Sequence, residues 1–291
     1  MFAHEFMRNA FLAGTAIALA CGLVGYFVVL RSQVFAGDAF SHVAFTGALA
    51  AAAAGIDVRI GLFAATILVA IGLGLLGERS RADDVVIGSV FAWVLGLGVL
   101  FLSIFTATAS ASNGTAAVRV LFGSIFGLSA ADARIAAAIA AASALALLAL
   151  ARPLLFSSVD PGVARGLGVR VRALGIAFLV LLAIVAAEAT QAVGALLLLG
   201  LLAAPAGAAR LLTSHAWRGL ALSGALAVGA MWAGLALSYG VSSLPPSSAV
   251  IGVATVAYLV AVIARRLSEP RRLGVRRSGR PVAAATGSSD G

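Results

Sequence analysis

Asp38 and His42 stand four residues apart in the run Gly37-Asp38-Ala39-Phe40-Ser41-His42, inside a long apolar stretch. On a helix that spacing puts both side chains on one face, so a carboxylate and an imidazole converge where hydrocarbon would otherwise be. A carboxylate oxygen and an imidazole nitrogen can together hold a divalent cation, and ionisable groups at membrane depth usually face a pathway or cavity. The same pair could relay protons, or close as a buried ion pair that locks two helices; spacing alone does not choose. The three histidines are scattered as His4, His42 and His215. No His-Glu-x-x-His zinc site can be built from them, and His4 and His215 read as interface residues near span ends. The chain has no lysine and no Gly-x-x-x-x-Gly-Lys-[Ser/Thr] run, so it cannot supply the phosphate-binding lysine of a P-loop. Any ATP hydrolysis must come from another polypeptide, and the chain reads as a transport component rather than an enzyme.

The elements that must position this pair are membrane helices. Hydrophobic residues make up 62% of the 291-residue chain and charged residues 11%, with a mean hydropathy of +1.09, values that a solvated surface does not allow. Continuous apolar runs without alternation exclude a β-barrel. The fold class is therefore all-α, a polytopic bundle of about nine spans, eight to ten being the range the pattern allows. The spans fall near 10–30, 36–54, 60–77, 86–106, 133–151, 173–189, 192–212, 220–238 and 250–264, each long enough for about 30 Å of hydrocarbon. Residues 1–267 form this transmembrane domain, and the first segment is read as a retained span rather than a cleaved signal. Residues 268–291 form a basic tail, expected to be disordered.

Arginine sets the orientation, because short cytoplasmic loops collect positive charge. With the C-terminus inside, Arg31, Arg79, Arg81, Arg152, Arg165, Arg170, Arg172, Arg210, Arg218 and the cluster from Arg265 to Arg280 fall on the cytoplasmic side. Arg8, Arg59, Arg119 and Arg134 fall outside. The net charge of +9 is thus a topology signal and an anchor on anionic membrane lipid, not a nucleic-acid site. At about 1.5 Å per residue, Asp38 is about 10 Å and His42 about 16 Å above the Arg31 interface, the latter near the midplane. Gly37 and Gly47, with Ser41 and Thr46 between them, would let a neighbouring helix come close.

Other features are weaker. Glu188 and Gln191 fall at the expected tight connection between the sixth and seventh spans, where they read as hydrated loop groups or as part of a pathway. Pro205 should kink the seventh span, for gating or for architecture alone. Asn113 marks an outer loop, Trp217 and Tyr239 suit aromatic belts, and the lone Cys21 packs as a small hydrophobe and rules out an internal disulfide. Between the fifth and sixth spans, Asp160 is a good N-cap, Pro161 a good first-turn residue, and Gly166 and Gly168 helix terminators. They predict a short helix outside the membrane beside Arg165, Arg170 and Arg172, either an ordinary loop helix or a handle for a partner.

In order and spacing these blocks resemble a known family, the membrane permease subunits of ABC-type importers for zinc, manganese and iron. The resemblance rests on Val29-Leu30-Arg31 leading into Asp38, His42 and Gly47, on Glu78-Arg79-Ser80-Arg81 before Val86-Ile87-Gly88, and on Leu121-Phe122-Gly123-Ser124. It continues through Asp160 to Gly168 and Val193-Gly194-Ala195 to Pro205 and Arg210. It implies a type II importer-like permease in the bacterial cytoplasmic membrane, working as a homodimer with the metal path on its axis. Asp38 and His42 match the family's metal contacts. The segment holding Asp160, Pro161, Ala164, Arg165, Gly166 and Gly168 matches the coupling helix that docks on a cytoplasmic ATP-binding subunit. The implied partners also include an extracytoplasmic metal-binding protein; the implied cargo is Zn²⁺ or Mn²⁺, with iron as a third candidate, and no cofactor is permanently bound. A proton-coupled secondary carrier using Asp38 and His42 as a relay is the rival reading.

Overall fold

Apolar runs with almost no charge leave the backbone only itself as a hydrogen-bonding partner, and within hydrocarbon that condition is met by the helix. The computed structural model describes residues 4–76, 84–108, 123–195, 198–241 and 243–268. The Glu78 to Arg81 block, Asn113, Leu121, Phe122 and the tail beyond Ser268 lie outside the described residues. The helices are α1 (Glu5–Leu30), α2 (Val34–Ala53), α3 (Val58–Leu76), α4 (Asp84–Thr108), α5 (Ala130–Val159), α6 (Pro161–Gly166), α7 (Val171–Val193), α8 (Leu198–Leu212), α9 (Ala216–Gly240) and α10 (Pro246–Ser268). A single 3₁₀ turn, Ile125–Gly127, precedes α5. Eight of the helices are long and apolar enough to cross a membrane, and α8 is a shorter apolar helix of 15 residues. No strand occurs among the described residues. Each of the nine apolar segments expected from the sequence contains a helix, the seventh only from Leu198 onward.

The helices form two groups. In one, α1 packs against α5, α8 and α9, and α10 against α8 and α9; in the other, α2 packs against α3 and α4. The groups meet mainly through α7, which touches α1 and α5 on one side and α2 and α3 on the other. Backbones approach closely where glycines face each other. A Cβ placed on Gly47 of α2 would lie 2.5 Å from the Gly61 carbonyl oxygen and 2.5 Å from the Ala65 Cβ of α3, so this crossing requires hydrogen at that position. Gly37 has no such role, since a Cβ there would meet the Leu202 side chain at an ordinary 3.5 Å.

Two expected boundaries change. The sixth span does not stop at Ala189: α7 continues to Val193 and ends at Gly194, whose φ of +96° suits glycine. Glu188 and Gln191 are therefore helical residues within the bundle, not loop residues. The helix can continue there because the Glu188 charge has a cationic partner on α3, described below. In addition, α5 starts at Ala130 under a Ser129 cap, whose Oγ accepts from Asp132 N at 3.1 Å, and runs 30 residues through Pro153. That is about 45 Å, longer than the hydrocarbon core, so the helix projects beyond it. Pro205 lies buried inside α8, which remains helical on both sides of it.

Candidate metal site and coupling helix

On α2, Phe35, Asp38 and His42 share one stripe, at i, i+3 and i+7. Their neighbours Ala36, Gly37, Ala39, Phe40, Ser41 and Val43 are buried, whereas Asp38 and His42 are half-buried and Phe35 is exposed. The stripe thus faces out of the single chain, beside α4. The imidazole of His42 stands edge-on to the ring of Phe91, with centroids 5.1 Å apart and planes at 71°. Phe91 in turn meets Phe35 at 5.8 Å, so one aromatic ring on α4 braces the stripe. Helix α4 is fixed to α2 a turn further on, where the Thr46 hydroxyl donates to the Val94 carbonyl at 3.2 Å. The Ser41 hydroxyl donates to the Asp38 backbone carbonyl at 2.7 Å, which leaves it pointing along the helix.

Among the described residues the ion pairs are Arg59 with Asp132 and Arg59 with Glu188. The Asp38 carboxylate and the His42 ring are in neither, so the reading of this pair as an ionic lock between helices fails. Nor does any cluster of three or more His, Cys, Asp or Glu side chains occur among the described residues. One chain offers the Asp38 and His42 stripe two metal-binding side chains. A carboxylate oxygen and an imidazole nitrogen suit borderline divalent ions such as Mn²⁺ and Zn²⁺ better than Ca²⁺ or Mg²⁺, which prefer oxygen shells.

Glu188 lies elsewhere. Its side chain is 2% exposed and is surrounded by Ile17 and Ala20 of α1 and Ile139, Ala140 and Ser143 of α5. Arg59, at the start of α3, donates from Nη2 to Glu188 Oε1 at 3.4 Å and from Nη1 to Asp132 Oδ1 at 3.5 Å. One guanidinium therefore ties α3 to both α5 and α7. Glu188 Oε2, Arg59 Nε and Gln191 Nε2 are buried without a partner. At the other end of the same helix pair, Arg172 of α7 donates to the Leu75 carbonyl of α3 at 2.8 Å. Helices α3 and α7 run antiparallel and are fastened at both ends. Sequence reading missed Arg59 and Asp132 as partners. The available signal was Arg59 itself, an arginine on the side of the membrane where arginine is scarce.

The short helix after α5 is α6. Asp160 caps it, with Oδ1 accepting from Gly162 N and Val163 N, each at 2.9 Å, and Pro161 takes its first position. Arg165 Nε donates to the Pro161 carbonyl at 3.1 Å, and Gly168 turns the chain at φ +81° towards α7. Ala164 is fully buried, so its methyl group packs inward and cannot meet a partner. The exposed surface carries Val159, Val163 and Leu167 at 81%, 51% and 71% exposure. Three uncovered aliphatic side chains thus surround a capped helix outside the spans and form an exposed apolar patch. At the same end, Arg31 is held in place, donating to Gln33 Oε1 and Ser158 Oγ at 3.3 Å each and lying 5.4 Å over the Phe178 ring.

Comparison with known proteins agrees with this architecture. The model of the ABC 3 transport family matches residues 3–265. The chain is 30% identical over 257 residues to the manganese import system permease protein ScaB of Streptococcus parasanguinis, covering 88% of this chain and 89% of that protein. It is 28% identical over 261 residues to the manganese transport system membrane protein MntC of Listeria monocytogenes, covering 89% and 91%. Among solved structures, PsaBC from Streptococcus pneumoniae in complex with Fab superposes with a TM-score of 0.76 at 27% identity, covering 89% of this chain and 91% of that one.

Proposed function

The chain belongs to the ABC 3 transport family, a family of metal ABC importer permeases, and on that premise we propose that two copies of it form the permease of an ATP-driven importer for Mn²⁺ or Zn²⁺ in the bacterial cytoplasmic membrane. The observation that carries the reading is the uncovered Asp38 and His42 stripe. It offers one oxygen and one nitrogen ligand type, engaged in no ion pair with a described residue, on a face that a second copy can meet. Symmetry about that face would bring four side chains to one ion. An extracytoplasmic metal-binding protein delivers the ion to the side opposite Arg31, and a cytoplasmic ATP-binding subunit docks on α6. The C-terminus is cytoplasmic in this arrangement. The relatives named for manganese favour that ion as cargo.

The test is accumulation of manganese, zinc and iron in metal-limited cells that express this chain with its cognate ATPase. Asp38→Ala and His42→Ala should lose uptake of one metal selectively while the protein still reaches the membrane. Unchanged accumulation of all three in both variants refutes the site. Uptake that survives a hydrolysis-dead ATPase but collapses with the proton gradient refutes the ATP-driven mechanism in favour of a secondary carrier.

A further inference from the structure

At the arginine-rich end of the bundle, the last turns of α1 and α5 and the link from α8 to α9 line an open cavity of about 820 Å³. Arg152 and Arg210 both line it, together with Tyr26 and Trp217, and no carboxylate of a described residue does. Arg210 spends one donor on the Val29 carbonyl, Nη1 to oxygen at 3.1 Å, and that bond orients the rest of its fork. Arg152 makes no hydrogen bond or ion pair with a described residue. The remaining wall is mainly apolar, including Phe156 and Val159, and adds the hydroxyls of Thr213 and Ser214. A cavity with two cationic forks at one place and hydrocarbon-like walls beside them matches an amphiphilic anion.

We propose that this cavity binds the phosphate head group of an anionic phospholipid, with Arg152 and Arg210 on the phosphate and an acyl chain along the Phe156 and Val159 wall. Its depth supports a lipid source. Tyr26 sits one turn inside the end of α1, and Trp217, half exposed, opens α9, a pairing of aromatic side chains that marks the level of the head groups. Basic pockets between helix ends on the cytoplasmic side take such head groups. The inference does not depend on what the protein transports.

Native mass spectrometry of the full chain released from bilayers of phosphatidylglycerol and phosphatidylcholine tests it. Wild type should retain a single phosphatidylglycerol in preference to phosphatidylcholine. Arg152→Gln, which breaks no bond with a described residue, should weaken that retention about tenfold, the scale of one charge-assisted hydrogen bond, at an unchanged melting temperature. Arg210→Gln should weaken retention as much, with some loss of stability from its bond to the Val29 carbonyl, and Arg218→Gln, outside the cavity, should not weaken it. Equal retention in Arg152→Gln and wild type overturns the proposal. So does release of the lipid by millimolar inorganic phosphate, which would make the ligand a soluble phosphoryl compound. Stoichiometric displacement of the lipid by the ATP-binding subunit also overturns it, since the cavity would then be a protein-docking surface.

Discussion

Replacing Arg59 by glutamine strands Glu188. The glutamate side chain is 2% exposed, its Oε1 faces Arg59 Nη2 at 3.4 Å, and its Oε2 has no partner. Breaking a buried pair from one side costs about 3–5 kcal/mol, because the surviving charge keeps its desolvation penalty. An upper bound follows from the carboxylate's way out, which is to take up a proton; at pH 7 that costs an ordinary glutamate about 3.7 kcal/mol. Arg59→Gln should therefore lose about 3–4 kcal/mol of stability. The reverse change is milder. In Glu188→Gln the arginine side chain, 22% exposed, keeps water and the Asp132 carboxylate at 3.5 Å, so the loss should be about 0.5–1.5 kcal/mol, the scale of one hydrogen bond. Joining the two substitutions removes both charges, and the double variant should resemble Glu188→Gln rather than the sum, a coupling equal to the Arg59→Gln loss, about 3–4 kcal/mol. Unfolding free energies of the four proteins in mixed micelles of maltoside and dodecyl sulfate give the cycle directly. Equal losses from the two single variants, with additive behaviour in the double, would refute the pairing and the account of why α7 continues past Ala189.

The remaining expectations concern α2 and α6. Gly47→Ala puts a methyl group 2.5 Å from the Gly61 carbonyl and from the Ala65 Cβ, so α2 and α3 must separate; a loss of about 1–3 kcal/mol in the same unfolding assay is expected, and an unchanged midpoint would remove the crossing. On α6, Val163→Glu and Leu167→Glu alter side chains that are 51% and 71% exposed. They should abolish ATPase association in a pull-down with little effect on the permease's own melting. Ala164→Glu, at a fully buried position, should instead lower the melting temperature. If Val163→Glu and Leu167→Glu bind the ATPase as wild type does, α6 is not the docking face.

Much of this architecture was legible in the sequence because each signal was local. Nine apolar segments give nine helices since hydrocarbon leaves the backbone no other partner. Asp160 and Pro161 predict the start of α6 because a cap needs only the next three residues. The i, i+4 spacing of Asp38 and His42 places them on one face for the same reason. Signals carried by distant partners were not legible. Glu188 read as a loop residue because a carboxylate between two apolar runs looks like a connection, and its cation lies 129 residues away. Ala164 looked available to a partner because burial of a short helix depends on what lies beneath it, which no local pattern records. Gly37 and Gly47 looked equivalent, yet only Gly47 opposes a second glycine on α3.

The position of α7 connects these pieces. It follows α6 after a short turn at Gly168, is bonded to α3 through Arg172 at its first turn and through Glu188 near its last, and packs against α2 as well. Helix α3 presses on α2 at Gly47 and Gly61, one turn beyond His42. In the proposed coupling, force applied to α6 would reach the stripe holding Asp38 and His42 through two helices whose ends are fastened to each other. Close packing makes such a pair move as one body. A helix pair fastened at a single end could splay and dissipate the displacement before it reached α2. On this geometry the buried carboxylate is a structural fastener rather than a ligand on the ion's path: its neighbours are α1, α3 and α5, whereas His42 faces α4. The Arg59 and Glu188 variants thus separate the two roles. A fastener tolerates replacement of both charges together, and a metal ligand at Glu188 would not.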